Sequence, residues 1–597
     1  NTTGATNTAI GNEALDANTT ASNNVAVGSY SLGANTTGTR NTALGTASLD
    51  ANTTANDNTA LGYDAMSSNT TGQMNVAVGT YAFDANTTGD FNVAVGRAAL
   101  STNTTADFNT ALGYAALEVN TTGTRNTAVG AGGLDSNTTG DDNTAVGYNS
   151  GSSITTGEQN TSVGSASLDA NTTGDGNTAI GTSALGANTT GADNTAVGNN
   201  SLDTNTEGAD NVAVGKNALD DNTTGGSLTA VGRSALANNT TARNNTAVGA
   251  SALLTNTTGA DNVAVGQGAL QGNTTAANNT AVGRDSMASN TTGPDNTAVG
   301  KSALESNTDG NNNVAMGTSA LATNVRGDRN TAIGYEALAT MNPSGDYDTN
   351  NTGVGQKALT RTTTGIENTG VGANALDHNT TGDYNTAVGD DCLTANTTGA
   401  GNTAIGRNAG GSVTTGSNHF FIGYGAGMSS GPGGTPGGAI TTGNNEGVIG
   451  NGDTSKINTQ VSITVASDVR DKTDFQPLSA GLDFVKGLTP YTYYWDKRAK
   501  YVDWETNPDT DLNTITNDGT HKEDWLDIGF KAQEVVALEE SINHKISNKT
   551  QLVTNLTGDG KQYQLQYEKF VPILVKAIQE QNALIESLTA RITTLEG

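Results

Sequence analysis

Cysteine is nearly absent from this chain. The single one, Cys392 among 597 residues, excludes an intrachain disulfide and has no spacing partner for a zinc site. Aromatics are scarce at 5%, and all three tryptophans (Trp495, Trp504, Trp525) lie near the C-terminal end, so most of the chain lacks the side-chain volume for a wide core. Clustered Lys and Arg are also missing. Residues 1–466 carry 14 basic against 37 acidic side chains and residues 467–597 carry 14 against 21, which argues against nucleic acid or anionic membrane as a partner. The net charge of −30 reads as solubility for an elongated molecule. No apolar run approaches transmembrane length, so no membrane insertion is expected. The chain opens in mid-repeat at Asn1-Thr2-Thr3-Gly4, so the natural protein is expected to extend further N-terminally, with any anchoring module there.

Repetition is what the chain has in abundance. The pattern N-T/V-A-V/I/L-G begins at Asn7, Asn24, Asn41 and Asn58 and recurs every 17 residues to Asn330, with one substitution at Leu228. After a step of 21 residues it resumes at Asn351, Asn368, Asn385 and Asn402, giving 24 copies, and a degenerate copy ends at Phe421-Ile422-Gly423. Each unit reads N-T-A-V-G-x-x-A-L-x-x-N-T-T-G-x-x. Two Gly and several β-branched or Asn positions per unit disfavour helix, and segments such as Asn92-Val93-Ala94-Val95-Gly96 read as short strands bounded by turn formers.

In such a strand the second and fourth residues share one face and the third takes the other. The aliphatic fourth residue is expected to point inward, and the alanine at the third to face something close, a neighbouring chain. Asn and Gly are expected to turn the corners in left-handed conformations. Stacked coils put identical side chains at roughly 4.7–4.9 Å spacing, and 24 of them span roughly 110–120 Å. The Asn-Thr-Thr triplets fit both turn chemistry and the N-glycosylation sequon. Acids before the strand (Asp57, Asp142, Asp193, Asp210, Asp261, Asp295) read as solvated turns, with calcium as the alternative. Thr rows raise ice binding, weakened by the frequent Val at the second position.

The repeat motif resembles the head repeats of trimeric autotransporter adhesins, whose units centre on an S/N-V-A-I-G strand. That resemblance implies a left-handed β-roll built as a parallel trimer, although the period here is longer. The expected architecture is therefore mainly β: a trimeric left-handed β-roll or β-solenoid rod over residues 1–423, then a transition over 424–466. Its Gly- and Pro-rich run Ser429–Gly438 reads as linker, and Val461–Val465 as a strand at the fibre tip. Met341–Asp348, where the repeat gains four residues, reads as an outward loop or a tolerated insertion.

Residues 467–597 have ordinary globular composition and end in a helix over about 571–597. Val571, Ile578, Ile585 and Ile592 take one heptad position, and Leu574, Gln581, Leu588 and Leu595 the other, which reads as a coiled-coil seam. Ile at a with Leu at d by itself leans toward a dimer. Four stretches then carry a second resemblance: Ser467–Lys472, Leu488–Tyr493, Gly529–Val535 and Tyr567–Ile578. This module looks like the self-cleaving intramolecular chaperone family of endosialidases and phage tail spikes. The resemblance implies an α+β domain that trimerises, templates an upstream β-fibre and then cuts itself off. It further implies a serine nucleophile at Ser467 with Lys472 as base, supported by Asp468 and Arg470. A hydroxyl needs such a base, and a lysine serves only when burial or nearby positive charge favours its neutral form.

The functional expectation is a phage-type tail fibre or tail spike, on the virion or an extracellular surface, binding a surface glycan or protein. Its one chemistry is single-turnover autoproteolysis, with no cofactor or metal. A cellular trimeric adhesin or surface filament uses the same parts. A glycan-degrading spike would need an enzyme domain outside this chain, because the repeats hold no paired-carboxylate site.

Overall fold

A computed structural model describes the whole chain except residues 346, 429–439, 452–453, 455–466, 468, 503–511 and 557–562. The linker run Ser429–Gly438 and the tip strand Val461–Val465 thus lie outside the described residues. The chain divides into two compact units, Asn1–Asn330 with Asn342–Tyr347, and Thr331–Met341 with Asp348–Gly597.

In the first unit each repeat contributes one three-residue strand, from Thr8–Ile10 to Val314–Met316, and each strand pairs in parallel with the one 17 residues on. This is a parallel β-solenoid. In the second unit a ladder of the same kind runs from Thr331–Ile333 to Phe420–Ile422, absorbing the 21-residue step between Thr331 and Thr352. It then gains one more rung, because Gly447–Ile449 pairs with Phe420–Ile422 across a 27-residue step. That rung falls inside the stretch read from sequence as transition.

Strand polarity is the reverse of the sequence expectation. The third residue, alanine, points into the coil and is fully buried (Ala94, Ala111, Ala179), while the second and fourth face outward, as with Leu112 and Ile180. The lumen explains this. Each coil is already filled by a leucine and two asparagines, such as Leu100, Asn92 and Asn103, which leaves room for a methyl group and no more. Where Phe421 takes the alanine position, Gly410 and Gly427 replace the leucines that would collide with it; a Cβ on either would meet the phenyl ring at 2.8 and 2.3 Å.

The corners meet the expectation in part. Glycine stands at positive φ after each strand, and asparagine takes left-handed corners in several coils (Asn149, Asn200, Asn244), but leucine is also held in the left-handed region in nearly every coil (Leu100 at φ 53°, Leu202 at φ 52°). A non-glycine residue pays for that conformation, and here burial of the leucine offsets it. The asparagines are interior and hydrogen-bonded. Asn24 Oδ1 accepts the Asn41 N–H at 2.9 Å while its Nδ2 donates to the Gly38 carbonyl at 2.9 Å. Asn52 Nδ2 donates to Asn35 Oδ1 at 2.9 Å, one rung of a second ladder. These amides satisfy buried backbone groups that a short coil cannot pair with itself. The asparagines of the Asn-Thr-Thr triplets from Asn18 onward belong to this second ladder and are buried, so the folded coil withholds them from glycosylation.

Apolar residues interrupt that ladder at Ile154 and Val413, and the preceding amide oxygens, on Asn137 and Asn396, are left without a partner. The glycine after each strand is dictated by stacking. Gly96 sits at φ 137°, and a Cβ there would meet the Gly113 carbonyl oxygen at 2.1 Å. In the inserted segment Met341 and Pro343 are buried and Asn342 and Ser344 exposed, so it is not simply an outward loop.

The turn acids serve the fold locally. Asp90 Oδ1 accepts the Gln73 N–H at 2.6 Å, and Asp57 and Asp142 pair with Arg40 and Arg125, each at 2.6 Å. Among the described residues no group of His, Cys, Asp or Glu is arranged to hold a metal ion.

Candidate self-cleavage site

The C-terminal module has a core of a different kind, made of Ala480, Phe484, Val535, Val553, Phe570 and Ile573. Phe530 stacks on Phe570 with ring centroids 5.3 Å apart. Helix α1 (Leu482–Gly487) packs on α3 (Phe570–Glu596), and the Leu482 N–H donates to Glu580 Oε2 at 2.7 Å. That bond, with Lys576 beside it, holds the Glu580 carboxyl below the usual range. Helix α2 (Ala532–Ser541) lies between two antiparallel strand pairs in sequence, Tyr491–Tyr493 with Asp527–Gly529 and Thr554–Leu556 with Tyr563–Leu565.

At the start of the module a single 3-10 turn, Val469–Asp471, folds the chain back on itself. The Lys472 N–H closes it on the Val469 carbonyl at 3.3 Å. This reversal turns a five-residue separation into contact, and Lys472 Nζ lies 2.5 Å from Ser467 Oγ. Serine and amine are therefore within proton-transfer distance. Both side chains are exposed, as is Arg470; Asp468 lies outside the described residues.

Residues 467–542 match the family described as chaperone of endosialidase, beginning at the candidate nucleophile itself. The C-terminal module carries a chaperone-of-endosialidase domain. The match stops short of the Tyr567–Ile578 stretch, although Phe570 and Ile573 of that stretch complete the chaperone's core. No curated protein and no solved structure matches the chain.

Three features of the chaperone escaped the sequence reading. Glu539 is buried, and its Oε1 accepts the N–H groups of Leu552 at 2.9 Å and Val553 at 2.5 Å, while Oε2 accepts the Thr554 hydroxyl. This carboxylate ties α2 to the strand at Thr554–Leu556, and its place four residues after buried Val535 was the available signal. Ser479 Oγ lies 2.7 Å from His544 Nε2, and His544 Nδ1 faces the Thr550 carbonyl at 2.7 Å, which selects the tautomer carrying the proton on Nδ1. Finally, an open cleft of about 610 Å³ is lined by Tyr491, Tyr493, Trp495, Phe530, Tyr563 and Tyr567. Beside it, Lys531 holds the Glu534 carboxyl below its ordinary range.

No helix of the described residues is long and apolar enough to cross a membrane.

Proposed function

We propose that this chain is one strand of a homotrimeric fibre of tail-fibre or tail-spike type that binds a surface receptor, and that its chaperone domain aligns three copies and then cleaves itself off beside Ser467. The observation that carries this reading is the 2.5 Å approach of Lys472 Nζ to Ser467 Oγ at the first residue of the chaperone match. Ser467 Oγ gives its proton to the neutral amine of Lys472 and attacks the neighbouring peptide carbonyl. An ester forms as the C–N bond breaks, the lysine proton passes to the leaving amine, and water hydrolyses the ester. A lysine base needs burial or nearby positive charge. Because Ser467 and Lys472 are exposed in the single chain, packing of three copies supplies the burial, and cleavage follows assembly.

Two bare apolar faces support association. The outward strand face of the solenoid presents Thr or Val beside Val, Ile or Leu in rung after rung, such as Ile10, Leu44 and Ile180. Contiguous apolar surface of this kind marks interaction sites. On α3, Phe570, Ile573 and Ala577 turn to the chaperone core, while Ile578, Ile585, Leu588 and Ile592 stay exposed along the heptad seam. Identical rungs make wrong registers cheap, and an aligning end domain removes that ambiguity before the coils stack.

Denaturing gels of the native chain and of Ser467→Ala test the chemistry. The native chain is expected to yield two fragments cut beside residue 467 and the variant a single full-length band; full-length bands from both reject it. Mass in solution tests the assembly, and a monomeric product rejects the fibre.

A further inference from the structure

One exposed row, in the turn just ahead of the strands, changes character along the repeat. In the row formed by the last residue of each unit, the succession Arg40, Asp57, Met74, Phe91, Phe108, Arg125, Asp142 passes from charged to apolar and back to charged. Further along the first unit the same row holds polar residues such as Asp193, Asp210 and Ser227, and in the second unit it holds one isolated aromatic, Tyr384. Phe91 and Phe108 stack with centroids 5.1 Å apart and planes 1° apart, and they are 46% and 56% exposed. At the other end of the same strands Tyr63 meets Tyr81 edge-on at 5.5 Å, and Arg97 lies over Tyr114 at 5.6 Å. The apolar run is closed at both ends by two-pronged ion pairs. Arg40 holds Asp57 at 2.6 and 2.7 Å, and Arg125 holds Asp142 at 2.6 and 2.9 Å.

We propose that this aromatic band is a register key, the place where one copy's solenoid recognises the same band on another copy. The inference rests on the homotrimer reading above. A ladder of near-identical rungs slides by one coil with little penalty, but the band does not repeat. A one-coil slip sets Phe108 of one copy level with Arg125 of the next, and Asp57 level with Met74. Apolar surface then meets charge that must be desolvated. A three-coil slip removes every phenyl and thioether overlap in the row.

Size and charge favour a second copy as the occupant. Each band residue stands two residues ahead of a strand in the run from Thr8–Ile10 to Val314–Met316, beside the outward strand face. At roughly 4.8 Å per strand and about 10 Å across, that face offers on the order of 900 Å², close to the ~800 Å² per partner of a stable interface. Two copies of so acidic a solenoid repel each other; at the band's borders Asp57 and Asp142 are neutralised by arginine, and the carboxylates beside the phenyl rings, Asp90 and Asp107, accept the backbone N–H groups of Gln73 and Asp90.

The test uses the full chain with Met74, Phe91 and Phe108 each changed to Asn. Asn244 and Asn278 already occupy this position at φ 59° and 60°, matching 57°, 59° and 61° at the three sites, so the coil is preserved. Register is read by mild oxidation of chains carrying Ile180→Cys, alone or co-expressed with chains carrying Val197→Cys; the native Cys392 is buried and does not compete. With the band intact, Ile180→Cys is expected to cross-link to itself and not to Val197→Cys. With the band replaced, self-cross-linking is expected to fall at least twofold and one-coil mixed products to appear.

Unchanged register in the triple variant overturns the proposal. So does retained register with lost binding to a glycan or cell surface, which makes the band a receptor site. If Ile180→Cys fails to cross-link in a particle whose mass is a trimer, the seam lies elsewhere and only the register key falls. A monomeric mass removes both readings.

Discussion

The solenoid and the chaperone solve the burial problem in opposite ways. The solenoid's interior is made of asparagine, alanine and one leucine per coil, and its stability is spread over stacked rungs whose side-chain amides complete the backbone pairing. The chaperone concentrates its stability in one cluster around Phe570 and Phe484, joined by a carboxylate, Glu539, held by backbone N–H groups. The lesson is that repetition lets a small-residue core suffice. A coil buries little alone, and each neighbour adds the same increment, whereas a single-copy domain must find its apolar volume at one place.

That contrast can be broken most sharply at the chaperone's centre. Phe570→Ala removes the ring stacked on Phe530 and is expected to cost about 3–5 kcal/mol and to abolish both assembly and cleavage, read as loss of the cut fragments on a denaturing gel. Leu202→Ala empties a site of the same burial in the solenoid and is expected to cost about 2–5 kcal/mol within its own and adjoining coils only. Hydrogen exchange is expected to rise in peptides near residues 185–219 and to stay unchanged in the chaperone. Global loss of protection would contradict the nearest-neighbour picture.

Gly181→Ala tests the stacking constraint. The added Cβ meets the Gly198 carbonyl oxygen at 2.4 Å and φ stands at 138°, so about 1–3 kcal/mol of strain should appear as local exchange around residues 178–200. Asn188→Ala removes donors to Asn171 Oδ1 and the Gly191 carbonyl, both at 2.9 Å, leaving buried acceptors at a cost of about 1–3 kcal/mol. A neutral effect would mean that the ladder tolerates gaps as it does at Ile154.

The smallest expected effect is a difference in sign. Burial raises the carboxyls of Asp50, Asp84, Asp135, Asp169, Asp203 and Asp220 in the solenoid. A folded pKa above the unfolded one gives stability that is full below the unfolded pKa and lost as pH rises through the folded value. In the chaperone, Glu534, Asp518 and Glu580 are lowered by Lys531, by Thr520 and by the Leu482 N–H. Their contribution is present above the unfolded pKa and lost as pH falls through the folded value. Acidification from pH 7 toward 3 is therefore expected to favour the solenoid through its six aspartates, against the opposing loss from Asp57 and Asp142 held down by arginine. It is expected to weaken the chaperone. Calorimetry of Ser467→Ala at the two pH values checks whether the two transitions move in opposite directions.

Sequence alone determined the period, the parallel strand at its centre, the glycine that follows each strand and the chaperone signature that begins at Ser467, because each of these is local or is repeated often enough to be counted. Tertiary structure decided which face of the strand is inside. Alternation says only that two faces differ, while the volume left beside Leu100, Asn92 and Asn103 says that the interior one must be alanine. It also decided that leucine takes one of the left-handed corners, that Gly447–Ile449 joins the ladder across a glycine- and proline-rich stretch, and that Glu539 is interior. Each of these depends on partners distant in sequence, and only the closed coil or the packed core brings them into contact.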